Sequence, residues 1–559
     1  MKRTIFLIGI LVHSIISFSQ ILTLQVEANH FQIDHPRQLI VSHIENIDSY
    51  NNLSDYDELK ILFDGEEFVF STVPNQIKYS ASYHLQKGTD EYTLYFTSLP
   101  IVSIVSDYEI PDEPKVLGYF SYSDEEQVVT SKIGVEIRGG VSQGYPKKNY
   151  DLEFWEDDAG ESTHDVSFKE LRTDDDWILR GSYNEPLRLR NYISSKLWLD
   201  MHELYYQDEE KKAKAGADLI YVELFLNESY NGIYTLSEQV DKKQLQLEKY
   251  KEEIRGELYK GVHWGDAVVF SGLPDYDNQD RAWGGYEMKY PKEKHITDWS
   301  LLYDFTSFVL YSSDRDFTSQ IWEEFEYNNC SDYYIFLNLL RANDNTGKNV
   351  YVAKRKQDTP YFYVPWDLDG AFGTWWDGTN HEATNDILSN GLYDRLHELN
   401  PANYLNNLAN KWFTYRNDLF KKDQLIERFQ RQYDFLSSHK VYEREALVFP
   451  NYSFGEEDFS YLTHWIEDRV DFLDWFFDEF YSFDPLFTQT KPYPNPLQGN
   501  KIYFTNYIHL IGKKYKIYNI LGHIVDEGRM HNNYIAVAQL KKGIYVLHIH
   551  NKKYKLIVR

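Results

Sequence analysis

One change of hydrophobic period divides this chain. Up to about Tyr290, apolar and polar residues alternate in short runs such as Leu59-Lys-Ile-Leu-Phe63, Tyr92-Thr-Leu-Tyr-Phe96 and Tyr221-Val-Glu-Leu-Phe-Leu226. Beyond about His295 the apolar residues recur at three to four positions, first as Trp299, Leu302, Phe305 and Val309, later as Phe459, Leu462, Ile466, Leu473, Phe476 and Phe480. Period two is the signature of a strand with one buried face, and the longer period that of an amphipathic helix. The pattern predicts an α+β chain whose β-rich half precedes an α-rich half, as two lobes with a cleft between them. Two exceptions are expected: a helix over Arg190–Met201, with Ile193, Leu197 and Met201 on one face, and a strand pair, Asn349–Lys354 with Tyr361–Val364, among the later helices. Asn227-Glu-Ser-Tyr-Asn-Gly232 is a turn signal that makes a hairpin of the strands around it.

The ends read differently. Lys2 and Arg3, the apolar stretch Ile5–Val12 and the small-residue finish Ser17-Phe-Ser-Gln20 form a secretory signal peptide over 1–20, too short for a permanent membrane span. Residues 21–100 are expected to form a small antiparallel β domain with no recognisable chemistry. A proline-rich linker over 482–492 leads to a basic, β-patterned tail over 493–559. No later stretch is apolar enough to cross a bilayer. The net charge of −29 argues against nucleic acid as a partner, since a phosphate-tracking surface needs clustered Lys and Arg. Cys330 is the single cysteine, which rules out an internal disulfide and a thiolate zinc cluster, so any metal must rest on oxygen or imidazole.

The chemistry concentrates in a few places. In Arg341-Ala-Asn-Asp-Asn-Thr-Gly-Lys-Asn349, Asp344 and Asn349 stand five apart on a turn between a helix and a strand. A kinase catalytic loop uses that spacing for an Asp that orients and deprotonates the acceptor hydroxyl and an Asn that holds magnesium; an ordinary hydrogen-bonded turn uses the same residues. Pro365-Trp-Asp-Leu-Asp-Gly-Ala-Phe-Gly373 follows, with Asp367 and Asp369 alternating on an extended backbone toward one face, suited to Mg²⁺ or Mn²⁺. A calcium-stabilised loop or a plain acidic turn is the alternative. Upstream, Arg138-Gly-Gly-Val-Ser-Gln-Gly-Tyr-Pro-Lys-Lys148 offers glycines through which backbone N–H groups can approach phosphates, with Lys147 or Lys148 to match their charge. Glu238 is placed to hold that lysine by an ion pair. Read blandly, this segment is a hairpin with two surface lysines.

Taken in order, Arg138-Gly…Pro-Lys-Lys148, Leu189-Arg-Asn191, Asn231-Gly-Ile-Tyr…Glu238-Gln-Val, Asp344…Asn349 and Pro365-Trp-Asp-Leu-Asp-Gly-Ala-Phe-Gly373 resemble the spore-coat protein H (CotH) kinase family from about residue 100 to 480, closing helix with Arg469 included. The resemblance implies an atypical two-lobed protein-kinase-like domain over 101–481, flanked by small all-β domains. It would bind ATP with Mg²⁺ or Mn²⁺ and phosphorylate Ser or Thr of an exported protein substrate. Asp344 would be catalytic; Asn349 and Asp367 would hold metal, with Asp369 sharing that role or supporting it. Lys148, with Lys147 beside it, would bind phosphate, supported by Glu238 and Arg138. One departure stands out: the family's usual Arg-Gly-Asn-Ser reads Arg138-Gly-Gly-Val-Ser142 here.

The tail, with Tyr493-Pro-Asn-Pro496, Leu540-Lys-Lys-Gly-Ile-Tyr-Val-Leu547 and Tyr554-Lys-Leu-Ile-Val-Arg559, resembles the sorting domain of Bacteroidetes type IX secretion cargo. That implies the type IX machinery as a partner and a secreted or cell-surface location. The rival readings are a structural or adhesive surface protein on a kinase-like scaffold and, last, a polysaccharide-handling protein using Asp367 and Asp369.

Overall fold

The computed structural model describes residues 20–292, 294–450, 456–480, 491–505, 510, 513–530, 534–537, 540–549 and 552–559. The signal peptide expected over 1–20 (Gln20 apart) and the linker expected over 482–492 (its last two residues apart) lie outside the described residues. Those that are described form a mixed α+β molecule with strands gathered in the first half and helices in the second. Among them, no helix is long and apolar enough to cross a membrane.

Residues 21–97 build a seven-stranded sheet. It is mixed rather than antiparallel: Ile21–Val26 runs parallel to Glu58–Phe63, and Leu39–His43 parallel to Asp90–Thr97. Alternation reports which face is buried, as in the inward Leu59, Ile61 and Phe63, but carries no information on the direction of the neighbouring strand. Leu39–His43 is buried along its whole length because its second face meets the next unit. There Leu39 and Val41 pack with Phe225 and Tyr230, and the Asp34 carboxylate accepts from Tyr230 N at 3.0 Å.

That next unit is a closed barrel of seven strands between Ile101 and Ser237. Closure leaves no open sheet edge, and inward-facing Ile104, Phe120, Val135, Leu152, Phe154 and Trp177 fill the interior. The helix Arg190–Met201 and the Asn227 turn between Leu219–Leu226 and Ser229–Ser237 fall where the periodicity predicts them.

A five-stranded antiparallel sheet follows, in which Glu257–Gly261 lies between Tyr286–Tyr290 and Val350–Lys354, with Tyr361–Pro365 at one edge. The helices Ser300–Tyr311, Tyr327–Leu340 and Glu456–Asp478 enclose the largest apolar core, which includes Leu302, Phe305, Val309, Leu462, Ile466 and Leu473 from the predicted faces. Each such side chain contributes roughly 1.5–3 kcal/mol on full burial. Tyr327–Leu340 is buried from Asn329 to Leu340 and forms the axis of the helical half. At the C-terminus a three-stranded and a four-stranded sheet enclose Ile502, Phe504, Ile517, Leu547 and Leu556. Lys513 ties them to the last helix, 2.6 Å from Asp478.

Candidate functional site

Hairpin geometry brings the acidic residues together. Val350 pairs with Pro365, so the residue entering the first strand and the residues leaving the second emerge at the same end. Asn349 and Asp367 therefore meet there although far apart in sequence. Asn345 fastens the junction: its Nδ2 donates to Asn349 O at 2.7 Å and Trp366 O at 2.8 Å, while Tyr333 OH donates to Asn345 O at 2.8 Å. The buried axial helix ends at Arg341, which takes a left-handed conformation, and a 3₁₀ turn over Asn343–Thr346 then presents Asp344. Arg341 grips Asp386 through Nε and Nη2, at 2.7 and 2.5 Å. Arg469 donates to Asn338 O at 2.8 Å, a cation at the end of a helix where free carbonyls favour one.

The strand ends at Pro365, so Asp367 does not alternate with Asp369 on extended backbone as expected. Asp367 has φ 56° and Asn349 φ 54°, left-handed turns that Asp and Asn tolerate through local hydrogen bonding. The turn re-aims both carboxylates, and they still reach one space.

That space is a cavity of about 480 Å³, lined by Asp344, Asn349, Asp367 and Asp369, with Arg138, Arg180 and Lys260 among its cations. Arg180 Nη1 lies 2.8 Å from Asp367 Oδ1, and its guanidinium stacks 4.1 Å from the Trp366 ring centroid. Asp369 accepts from Asn184 Nδ2 and from Gly370 N, each at 2.9 Å. Burial, reinforced by the charge of Asp367, pushes the Asp369 carboxyl up to about 7. Asp344 is also raised, by burial and by Asp367, against the opposing pull of Lys348 at 3.9 Å. Lys260 is pushed down to about 8 by burial and by neighbouring Arg138 and Lys289. The cavity thus holds carboxylates and cations that burial and like-charge crowding both oppose.

Of the residues singled out in the sequence, Asp344, Asn349, Asp367, Asp369, Arg138 and Lys147 share this cavity. Two expectations need correction. Lys148 turns away, donating to Gln143 O at 2.5 Å. Glu238 pairs with neither lysine: it is buried elsewhere, against Lys214 Nζ at 2.6 Å and the backbone N–H of Arg172 at 2.7 Å. The partner of Lys147 is Glu445, at 2.5 Å, and Lys147 Nζ also donates to Ile233 O at 2.6 Å. In the glycine loop, Gly139 has φ 108°, and a Cβ there would come within 2.1 Å of Ser142 Oγ, so only glycine fits. Ser142 Oγ is itself engaged by Asn149 Nδ2 at 3.2 Å.

Arg180, Lys260 and Asn184 escaped the sequence reading. Arg180 closes a barrel strand just before Gly181, a pairing of cation and glycine at a strand end that resembles the Arg138-Gly139 signal already noticed. Nothing in Glu257-Leu-Tyr-Lys-Gly261 marks Lys260.

A family model described as CotH kinase protein matches residues 135–473. A second, described as a secretion system C-terminal sorting domain, matches residues 491–559. No curated protein matches the chain.

Proposed function

The chain belongs to the CotH kinase protein family and ends in a secretion sorting domain, and from that premise we propose that it is an exported kinase transferring the γ-phosphoryl group of ATP to Ser or Thr of exported proteins. The observation that carries the reading is the shared cavity, lined by Asp344, Asn349, Asp367 and Asp369 together with Arg138, Arg180 and Lys260. On this reading the barrel with its adjoining sheet and the helical half are two kinase-like lobes, within a domain over 101–481. The chain before it divides into a signal peptide over 1–20 and a β domain over 21–100, and the sorting domain over 493–559 carries the product through a type IX system to the surface or the medium.

The donor set fits a hard divalent cation. The carboxylates of Asp367 and Asp369 and the amide oxygen of Asn349 are ligands of the kind Mg²⁺ or Mn²⁺ prefers, and the raised Asp344 and Asp369 mark negative charge that Arg180 alone does not neutralise. Asn349 and Asp367, with Asp369, would hold the metal. Bound ATP and its metal supply the phosphoryl group and neutralise charge on the leaving oxygen. Arg138, Arg180 and Lys260 would bind and orient the phosphates. Asp344, lifted above the ordinary carboxylate range, is suited to orient the acceptor hydroxyl and take its proton. Lys147 contributes from the cavity wall, held by Glu445.

A labelled-phosphate assay with ATP and Mg²⁺ or Mn²⁺ tests this. Asp344→Ala is expected to lower transfer by at least about a hundredfold while keeping nucleotide-dependent thermal stabilisation. Equal transfer by the variant and the parent would overturn the reading. A second reading, a nucleotide-binding scaffold without turnover, is favoured by the phosphate loop, where Ser142 is occupied by Asn149 and Lys147 by Glu445. Nucleotide stabilisation without any labelled product would select it.

A further inference from the structure

The N-terminal sheet carries chemistry of its own where it meets the barrel. His43 ends the strand Leu39–His43 and is 5% exposed. Its Nδ1 lies 3.0 Å from Leu99 O. A carbonyl can only accept, so Nδ1 bears the proton and Nε2 presents a lone pair. That Nε2 is buried without a hydrogen-bond partner among the described residues. It faces Glu125 Oε2 at 3.9 Å, and one ligand atom each of His43, Glu45 and Glu125 lie within 4.8 Å of one another.

We propose that His43, Glu45 and Glu125 form a site for a first-row transition ion of the Zn²⁺ class, which staples the N-terminal sheet to the barrel. The ring is set as in protein zinc sites, where one imidazole nitrogen ligates and the other donates to a carbonyl that fixes its orientation. An imidazole with carboxylates is a zinc donor set that needs no cysteine. Ligand atoms on a tetrahedral ion at 2.0–2.1 Å sit about 3.4 Å apart, and the two exposed glutamates have the length to close from their present spacing. Glu45 follows the sheet strand, whereas Glu125 sits on the barrel turn that Asp124 fixes by accepting from Glu126 N and Gln127 N at 2.8 and 2.9 Å. Lys169 engages the other oxygen of Glu125 at 2.8 Å, leaving Oε2 toward His43. The site lies outside the residues matched by the kinase family and does not depend on the proposed activity.

The test uses the exported chain, stripped with EDTA and titrated with Zn²⁺, with bound metal counted by mass spectrometry and stability followed by thermal unfolding. The parent is expected to bind a zinc ion that raises its Tm, while Mg²⁺ at the same concentration leaves this junction unchanged. Glu45→Gln/Glu125→Gln alters only exposed side chains; it should bind one zinc fewer, at least about tenfold more weakly at this site, and lose the zinc-dependent Tm rise. Asp367→Ala should retain both zinc responses, which separates this site from the nucleotide cavity. Equal zinc content and equal Tm rise in the parent and the double variant would overturn the proposal, as would a parent that binds no zinc.

Discussion

Two charged clusters meet at Lys147 and are built on opposite plans. Behind the cavity wall, Glu445 accepts from Lys147 Nζ at 2.5 Å, Arg188 Nη2 at 3.0 Å and Ile233 N at 2.6 Å, and the neighbouring Arg444 pairs with Glu223. All of these side chains are almost wholly buried, and every charge faces an opposite one. In front of the wall, Asp344, Asp367 and Asp369 line an open volume: Asp367 contacts Arg180 at 2.8 Å, Asp344 has Lys348 only at 3.9 Å, and Asp369 accepts from the neutral Asn184 and Gly370 N. Residue type does not separate the two clusters; saturation does. The saturated cluster joins the short helix Val441–Val448 to the barrel, whereas the unsaturated one leaves its carboxylates around open space.

Removing one partner from the saturated cluster should produce the largest effect. Glu445→Ala leaves Lys147 and Arg188 buried without their shared carboxylate. Burial works against the Glu445 charge, but these two cations hold its carboxyl below the usual range; Lys147, desolvated, is already pushed down to about 7. The variant should lose about 3–5 kcal/mol, the usual consequence of stranding a buried charge, read as a lower urea midpoint and Tm. A loss under about 1 kcal/mol would mean that water reaches the cluster and that the contrast with the cavity is false.

The same contrast explains what the sequence disclosed. Asp344, Asn349, Asp367 and Asp369 could be picked out as oxygen-bearing side chains at constrained spacing, and the structure brings them to one cavity; the hairpin that gathers them was visible as two short β runs. Glu445 was not legible. Nothing in Val441-Tyr-Glu-Arg-Glu-Ala446 distinguishes two fully buried charges from a solvated helix face, because their partners come from the barrel, more than two hundred positions away. Glu238 failed for the same reason: a buried glutamate finds the nearest donors in space, and these were Lys214 and backbone N–H groups. Periodicity located the β and α halves and the Arg190–Met201 helix, but could not supply strand direction in the N-terminal sheet or closure of the barrel. Both depend on pairings between distant segments.

On the unsaturated side, a conservative substitution should stabilise. The Asp369 carboxyl is raised from its ordinary value to about 7. The folded state therefore holds this proton when the unfolded chain has released it, and stability falls as pH rises from about 4 through 7. Below that window the contribution is fully present; above it, the buried charge opposes folding. Asp369→Asn removes the titration and should raise Tm by about 2–4 °C at pH 8, with little change at pH 4. Unfolding curves across pH 4–8 check this, and Mg²⁺ should flatten the slope of the parent but not of the variant. A parent slope that persists in Asp369→Asn would place the titration elsewhere and remove the cavity's claim to reserve charge.

The smallest effect is expected at Lys148, where the sequence and the structure differ over which lysine reaches the cavity. Its ammonium donates to Gln143 O, fixing the loop that carries Gly139 and Ser142, and does not line the cavity, whereas Lys147 does. Lys148→Ala then removes one partly exposed hydrogen bond, a change of roughly 0.5–1.5 kcal/mol in stability. Nucleotide affinity, measured by calorimetry with Mg²⁺, should move by less than about twofold, because the Lys148 ammonium is bonded to Gln143 O outside the cavity lining and salt weakens what attraction remains. Arg180→Ala, which removes a guanidinium lining the cavity, should weaken binding well beyond that. If Lys148→Ala instead weakens binding as much as Arg180→Ala does, the loop reorganises around the ligand and Lys148 swings inward.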